Sequence, residues 1–345
     1  MTASKAKTNI FIDSRYRRLR AGWRLILQIL LLILFLFPTT GAAYFGAALL
    51  VFPESGGLTA LENPNAIIDD LIDHPIASGI IAVATFVATI ASVWVAGRFF
   101  DRRRFANFGL HIDRNWWIDL GFGLGLGAAL MGFIFAFELA FGWITITDTF
   151  HSETTGLGFP AALTFRLLAF VCVGIYEELL FRGYQLKNMS EGLLAVPSLG
   201  PRGAILASLL ISSALFGLAH AGNPNATAIS TFNLILAGFF LALGYLLTGR
   251  LAIPIGLHIT WNFFQGNVFG FPVSGSAANT TTLIAIDQGG NPLLTGGAFG
   301  PEAGLIGIVA LLLGSVLIVV WTRARYGQAK MMESLAQPEL RDALL

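Results

Sequence analysis

Three stretches carry the side chains in this sequence that could do chemistry inside an apolar setting. Glu177-Glu178-Leu179-Leu180-Phe181-Arg182 closes an apolar run that begins near Leu163. Phe216-Gly217-Leu218-Ala219-His220 and His258-Ile259-Thr260-Trp261-Asn262 lie in two later apolar runs. An ionisable side chain at membrane depth costs about 2.5–3.5 kcal/mol on insertion scales, so it persists mainly where it is paired or at work. A carboxylate, two imidazoles and an amide together are the inventory of a hydrolase. One group takes a proton from water, and others donate to a developing oxyanion.

Helical spacing separates the tasks. Glu177 and Glu178 are neighbours, so they point about 100° apart on a helix of 3.6 residues per turn. Glu178 stands four residues before Arg182, the spacing and order that favour an ion pair. Glu177 has Val173, Gly174, Leu180 and Phe181 around it, and no partner on its own helix. His258 and Asn262, also four apart, project from one helix face. Each stretch taken singly has a plainer reading. The glutamates could mark a helix end at the interface, His220 a packing residue, and His258 with Asn262 an interhelical pair worth about 0.6–2 kcal/mol. The argument for chemistry rests on all three together, because Arg166 and Glu138 are the clearest other ionisable residues in the apolar runs.

The elements that must position these residues are membrane helices. Of 345 residues, 55% are hydrophobic and 12% charged, where a soluble domain carries about 25% charged. Mean hydropathy is +0.72. Apolar runs suggest about eight spans: 23–52, 76–97, 117–143, 161–180, 203–220, 229–248, 251–269 and 304–321. Pro38 should kink the first. Gly121, Gly123, Gly125 and Gly127 form two overlapping small-xxx-small pairs, which favour close helix packing. The single cysteine, Cys172, excludes an internal disulfide and any cysteine zinc site. No cleavable signal peptide is evident.

With eight spans and both termini cytoplasmic, every Lys and Arg except Arg166 falls on the cytoplasmic side. The basic segment 1–22, with Lys5, Lys7, Arg15, Arg17, Arg18 and Arg20, therefore reads as a positive-inside anchor rather than a nucleic-acid arm. The expected organisation is all-α: a cytoplasmic segment 1–22, a membrane domain 23–322 and a cytoplasmic tail 323–345. The Gly/Ser/Asn/Thr-rich stretch 270–302 has no legible role. No internal repeat of the transporter kind is visible.

Glu177-Glu178-x-x-x-Arg182, Phe216-x-x-x-His220 and His258-x-x-x-Asn262, in that order on successive hydrophobic segments, resemble the motifs of the CPBP family. That family comprises the type II CAAX prenyl endopeptidases and the Abi-type bacteriocin-processing membrane proteases. The motifs cover residues 163–269. The resemblance implies an eight-helix intramembrane endopeptidase acting on a membrane-associated or lipidated, CAAX-like substrate, placed in a bacterial inner (plasma) membrane. Carried over, it implies that Glu177 and His220 activate water, that His258 and Asn262 stabilise the oxyanion, and that Glu178, Arg182 and Phe216 support the site.

No metal is favoured. If zinc takes part, Glu177, His220 and His258 are the expected ligands, although there is no HExxH helix. The competing readings are a non-catalytic membrane scaffold or immunity protein, and a proton-coupled transporter. One geometric expectation is specific. Glu177 falls toward the cytoplasmic end of its span and His220 toward the opposite end, so the turn Ala221–Asn225 must dip into a cavity for them to meet.

Overall fold

The computed structural model of the chain describes residues 10–51, 64–154, 156–276 and 278–340. Lys5 and Lys7 of the basic segment, Glu54 and Glu62 of the acidic loop, and the end of the tail lie outside the described residues. Among the described residues seven helices are long and apolar enough to cross a membrane, and the protein is an all-α polytopic membrane protein.

The long helices follow the apolar runs. They are α1 (Ala21–Val51), α3 (Pro75–Val95, extended by a π-helical turn Ala96–Phe100), α4 (Arg114–Ala140) and α5 (Phe159–Glu178). A short α2 (Pro64–Asp73) precedes α3. A π-helical stretch, Leu179–Leu186, carries α5 on into α6 (Lys187–Leu193). Then come α7 (Gly200–Ala219), α8 (Ala228–Thr248), α9 (Ala252–Phe263) and α10 (Leu305–Tyr326). Local signals fix several ends. Asp113 caps α4 by accepting from the Trp116 amide at 2.8 Å. Thr227 and Ser230 form a reciprocal capping box on α8, and Gly249 ends that helix in the left-handed region, at φ 69°.

The seventh expected span departs from the others. Together, α9 and the π-helical turn Phe264–Val268 make a helical rod about 25 Å long, shorter than the ~30 Å hydrocarbon core. It starts where the Leu251 amide meets the Gly109 carbonyl (2.9 Å) and ends where Phe271 turns back on Gln265 (2.9 Å). Ala252 to Ile259 are all buried. This helix is screened from lipid by its neighbours, so bilayer thickness does not set its length.

Glycines let the neighbours close in. A methyl group on Gly123 or Gly127 of α4 would run into the α9 backbone, and one on Gly256 of α9 would run into α4. Gly121 and Gly125 face open space. One of the two small-xxx-small pairs therefore packs the helices, and the Thr260 hydroxyl adds a bond to the Leu124 carbonyl at 2.8 Å. The α5 face is fitted the same way, with Gly174 set against Ile255 and Ile259.

Two stretches expected as loops contain strands. Besides a small hairpin of β1 (Ile12–Asp13) and β2 (Arg18–Leu19), β3 (Ile144–Ser152) pairs antiparallel with β4 (Thr281–Gln288). Register runs from Ile144 opposite Gln288 to Ser152 opposite Thr281, with an irregularity between Ile146 and Asp148. Both strands are rich in β-branched residues, which suit an extended backbone. The pairing joins segments far apart in sequence and anchors the 270–302 excursion over one end of the bundle.

The basic residues gather at the other end, and they do more than anchor. Buried Glu191 of α6 binds Arg18 (2.7 Å), Arg24 (3.3 Å) and Arg103, while Asp101 takes Arg24 at 2.6 Å and the Tyr184 hydroxyl at 2.9 Å. The tail joins the same end through Arg202–Glu333 (2.6 Å) and Lys187–Glu339 (3.5 Å). Arg166, the exception to the charge asymmetry, is buried near the opposite end. It donates to Ile72 O (3.1 Å), Ser78 Oγ (3.2 Å) and Thr280 Oγ1 (2.8 Å).

Candidate active site

The residues singled out by type and spacing converge on one cavity. It holds about 190 Å³ and is lined by Glu177 from α5, Phe216 from α7 and His220 just past its end, and His258 and Asn262 from α9. Apolar and aromatic side chains close most of the rest, among them Phe170, Val173, Phe240 and Trp261. Asn223, in the turn after α7, also lines it. The turn does reach the cavity, which lets His220 share a site with Glu177 despite starting from opposite ends of their helices.

Glu178 lies beneath this cavity, fully buried, and its Oε1 accepts from Arg182 Nη1 and from His258 Nδ1, each at 2.9 Å. Arg182 also donates to the Gly238 carbonyl at 3.1 Å, tying α8 to the site. The ion-pair spacing read from sequence is therefore realised. The bond to His258 was not legible there, because it joins residues on two separate helices. A carboxylate on Nδ1 fixes both the orientation and the tautomer of an imidazole.

The other side of the same ring meets Glu177, with His258 Nε2 3.9 Å from Glu177 Oε2. The adjacent carboxylates, though splayed, thus flank a single imidazole. Glu177 Oε2 has no hydrogen-bond partner among the described residues. His220 is held differently: its Nδ1 bonds the Phe216 carbonyl at 2.8 Å. As the carbonyl can only accept, Nδ1 carries a proton, and in the neutral ring Nε2 is then the acceptor.

Phe216 is the hub on which these groups rest. Its ring lies 4.4 Å from the Arg182 guanidinium carbon, 4.9 Å from the His220 ring and 6.2 Å from the His258 ring. A cation over an aromatic face adds attraction in a dry site. The Ser212 hydroxyl bonds the Phe181 carbonyl at 2.8 Å, locking α7 to the π-helical stretch that presents Arg182.

Sequence reasoning missed the wall supplied by 270–302. Val273, Ser274, Ser276 and Glu302 all line the cavity. Glu302 is buried and accepts from the Ser274 amide (2.6 Å), the Ser274 hydroxyl (3.1 Å) and the Gln265 amide group. Asn223 donates to Ser274 O (2.9 Å) and Asn225 to Gly275 O (3.1 Å), so the turn after α7 and this wall form one unit. Burial pushes the Glu302 carboxyl above the usual carboxylate range, and the bonds from Ser274 and Gln265 oppose that rise. An acid in a glycine-rich stretch, one of two there with Asp287, was the one available signal.

Among the described residues, no three His, Cys, Asp or Glu side chains are grouped as ligands would be. With Nδ1 bonded to Glu178, His258 turns Nε2 toward Glu177, 3.9 Å away.

No curated protein and no solved structure matches the chain significantly. A family model does match, over residues 159–264, which run from the start of α5 into the π-helical turn after α9 and hold every residue of the three motifs. That model is described as type II CAAX prenyl endopeptidase Rce1-like, and the match supports a CPBP-family intramembrane protease.

Proposed function

We propose that the chain hydrolyses a peptide bond of a membrane-associated or lipidated, CAAX-like substrate, using a water activated by Glu177 and His220. The observation that carries this reading is the convergence of Glu177, His220, His258 and Asn262 on one largely apolar cavity. Attack of the water oxygen on the carbonyl carbon sends one water proton to Glu177, with the lone pair of His220 Nε2 as the second acceptor. The new C–O bond produces a tetrahedral oxyanion, to which the Asn262 amide donates. His258, protonated on both nitrogens, would also donate from Nε2. That state pairs two positive groups (Arg182 and His258) with two carboxylates (Glu177 and Glu178), so the buried cluster carries no net charge. Collapse of the intermediate breaks the C–N bond and returns the proton to the leaving amine.

The experiment compares N-termini of membrane proteins from cells expressing wild type and Glu177→Gln at equal abundance. New N-termini that vanish in the variant support proteolysis and name substrates. Identical profiles, with the variant folded and any phenotype intact, would replace this reading with a scaffold. Purified enzyme should keep its activity in 1,10-phenanthroline. Loss that added zinc restores would replace the metal-free step with a metal-assisted one.

A further inference from the structure

A second pocket, of about 330 Å³, lies at the basic end of the bundle, away from the candidate active site. It is lined by Arg98, Arg103 and Arg104 with Trp94, Phe105 and Phe108. Arg103 is 1% exposed. One of its terminal nitrogens binds Glu191, but Nε and Nη1 have no hydrogen-bond partner among the described residues. A buried guanidinium with two unused donors is costly unless an acceptor reaches it. Arg98 and Arg104 are exposed and have no ion-pair partner among the described residues. The nearby carboxylates do not use up this charge. Glu191 and Asp101 face Arg18, Arg24 and Arg103, which leaves one positive charge, and Arg98 and Arg104 add two more.

We propose that this pocket binds the phosphate headgroup of an anionic phospholipid. Arginine suits phosphate because its planar donors match two oxygens at once. Basic pockets beside membrane helices are known headgroup sites as a class. Two features favour a lipid over a free phosphate. Val83, Val87 and Trp94 are all exposed on α3 and fall on one helix face, making an apolar track that leads to the pocket and along which an acyl chain can lie. The pocket also sits at the end that charge asymmetry assigns to the cytoplasm, where anionic headgroups meet basic residues. The bound headgroup joins the end of α3 to the Glu191 cluster, and so to α1 and α6.

The test uses full-length protein purified from nanodiscs of phosphatidylcholine doped with phosphatidylglycerol, with retained lipid counted by native mass spectrometry. Wild type should retain phosphatidylglycerol in preference to phosphatidylcholine. R98Q/R104Q should lower that retention at least about tenfold, since two charge-assisted contacts are lost. R323Q/K330Q, which removes two exposed charges elsewhere at the same end, should leave it within about twofold. Should the double variant misfold, R104Q alone gives the same readout. Equal retention by wild type and R98Q/R104Q overturns the site, as does an equal fall in R323Q/K330Q. Displacement of the lipid by inorganic phosphate would reassign the pocket to a free anion and overturn the lipid proposal.

Discussion

His258 donates from Nδ1 to Glu178 Oε1 at 2.9 Å, and that oxygen is the one that also accepts from Arg182. A single buried carboxylate therefore orients the imidazole and neutralises the guanidinium. Two adjacent glutamates with the same chemistry acquire different surroundings this way. Glu178 faces protein on every side, whereas Glu177 faces the cavity.

Their amide variants should separate accordingly. Glu177→Gln should lower turnover by about 10²–10⁴, the usual share of a general base, with little change in thermal unfolding. Glu178→Gln should lower activity and also destabilise the fold by about 3–5 kcal/mol, because Arg182 is left buried without its counter-charge. Cleavage assays beside thermal melts of the two purified variants check this. Equal stability of the two variants would count against the assigned division.

The α4–α9 contact should be more sensitive than its composition suggests. Gly127→Ala places a methyl against the Thr260 side chain and the Leu257 carbonyl, and should cost about 1–3 kcal/mol while displacing the helix that carries His258. Gly125→Ala meets nothing within 4 Å and should be neutral or stabilising by up to about 1 kcal/mol, from helix propensity alone. Parallel melts of the two variants make the comparison.

The wall held by Glu302 should show in both kinetics and pH response. Glu302→Ala releases Ser274 and Gln265 from their shared acceptor and should raise KM more than it lowers kcat. The pH response follows from a folded-state pKa raised above the unfolded one. Its contribution to stability is full below the usual glutamate range and is lost as pH rises through the folded pKa. Wild type should therefore lose stability across that interval more steeply than Glu302→Gln. Melting temperatures taken from pH about 4 upward test the sign.

Asp113 should behave in the opposite sense. Its bonds to Arg250 and to the Trp116 amide hold its carboxyl at about 2. The stabilisation is present above the ordinary aspartate pKa and is lost as pH falls toward 2. Asp113→Asn should flatten that acid limb, since the Arg250 pair no longer titrates. An acid unfolding series on both proteins reads it directly.

Much of the site was legible in the chain because it is written in short-range spacing. Glu178 and Arg182 are one helical turn apart, as are Phe216 and His220, and their contacts follow from helix geometry. Glu302, Asn223 and Ser274 were not legible as a group. They are joined by bonds between segments about 30 to 50 residues apart, and no local pattern encodes such a meeting. The β3–β4 pairing escaped for the same reason, since its partners are separated by 129 to 144 residues.

Hydropathy, charge asymmetry and three ordered motifs determined from sequence alone that this is a polytopic membrane protein, and which side chains to watch. The period of a helix and the cost of burying charge act locally, so they can be read residue by residue. Tertiary structure decided which carboxylate serves His258, which glycine pair closes α4 onto α9, and that 270–302 forms a wall of the cavity. Those outcomes depend on which helix faces meet, and that is settled by packing across the whole bundle.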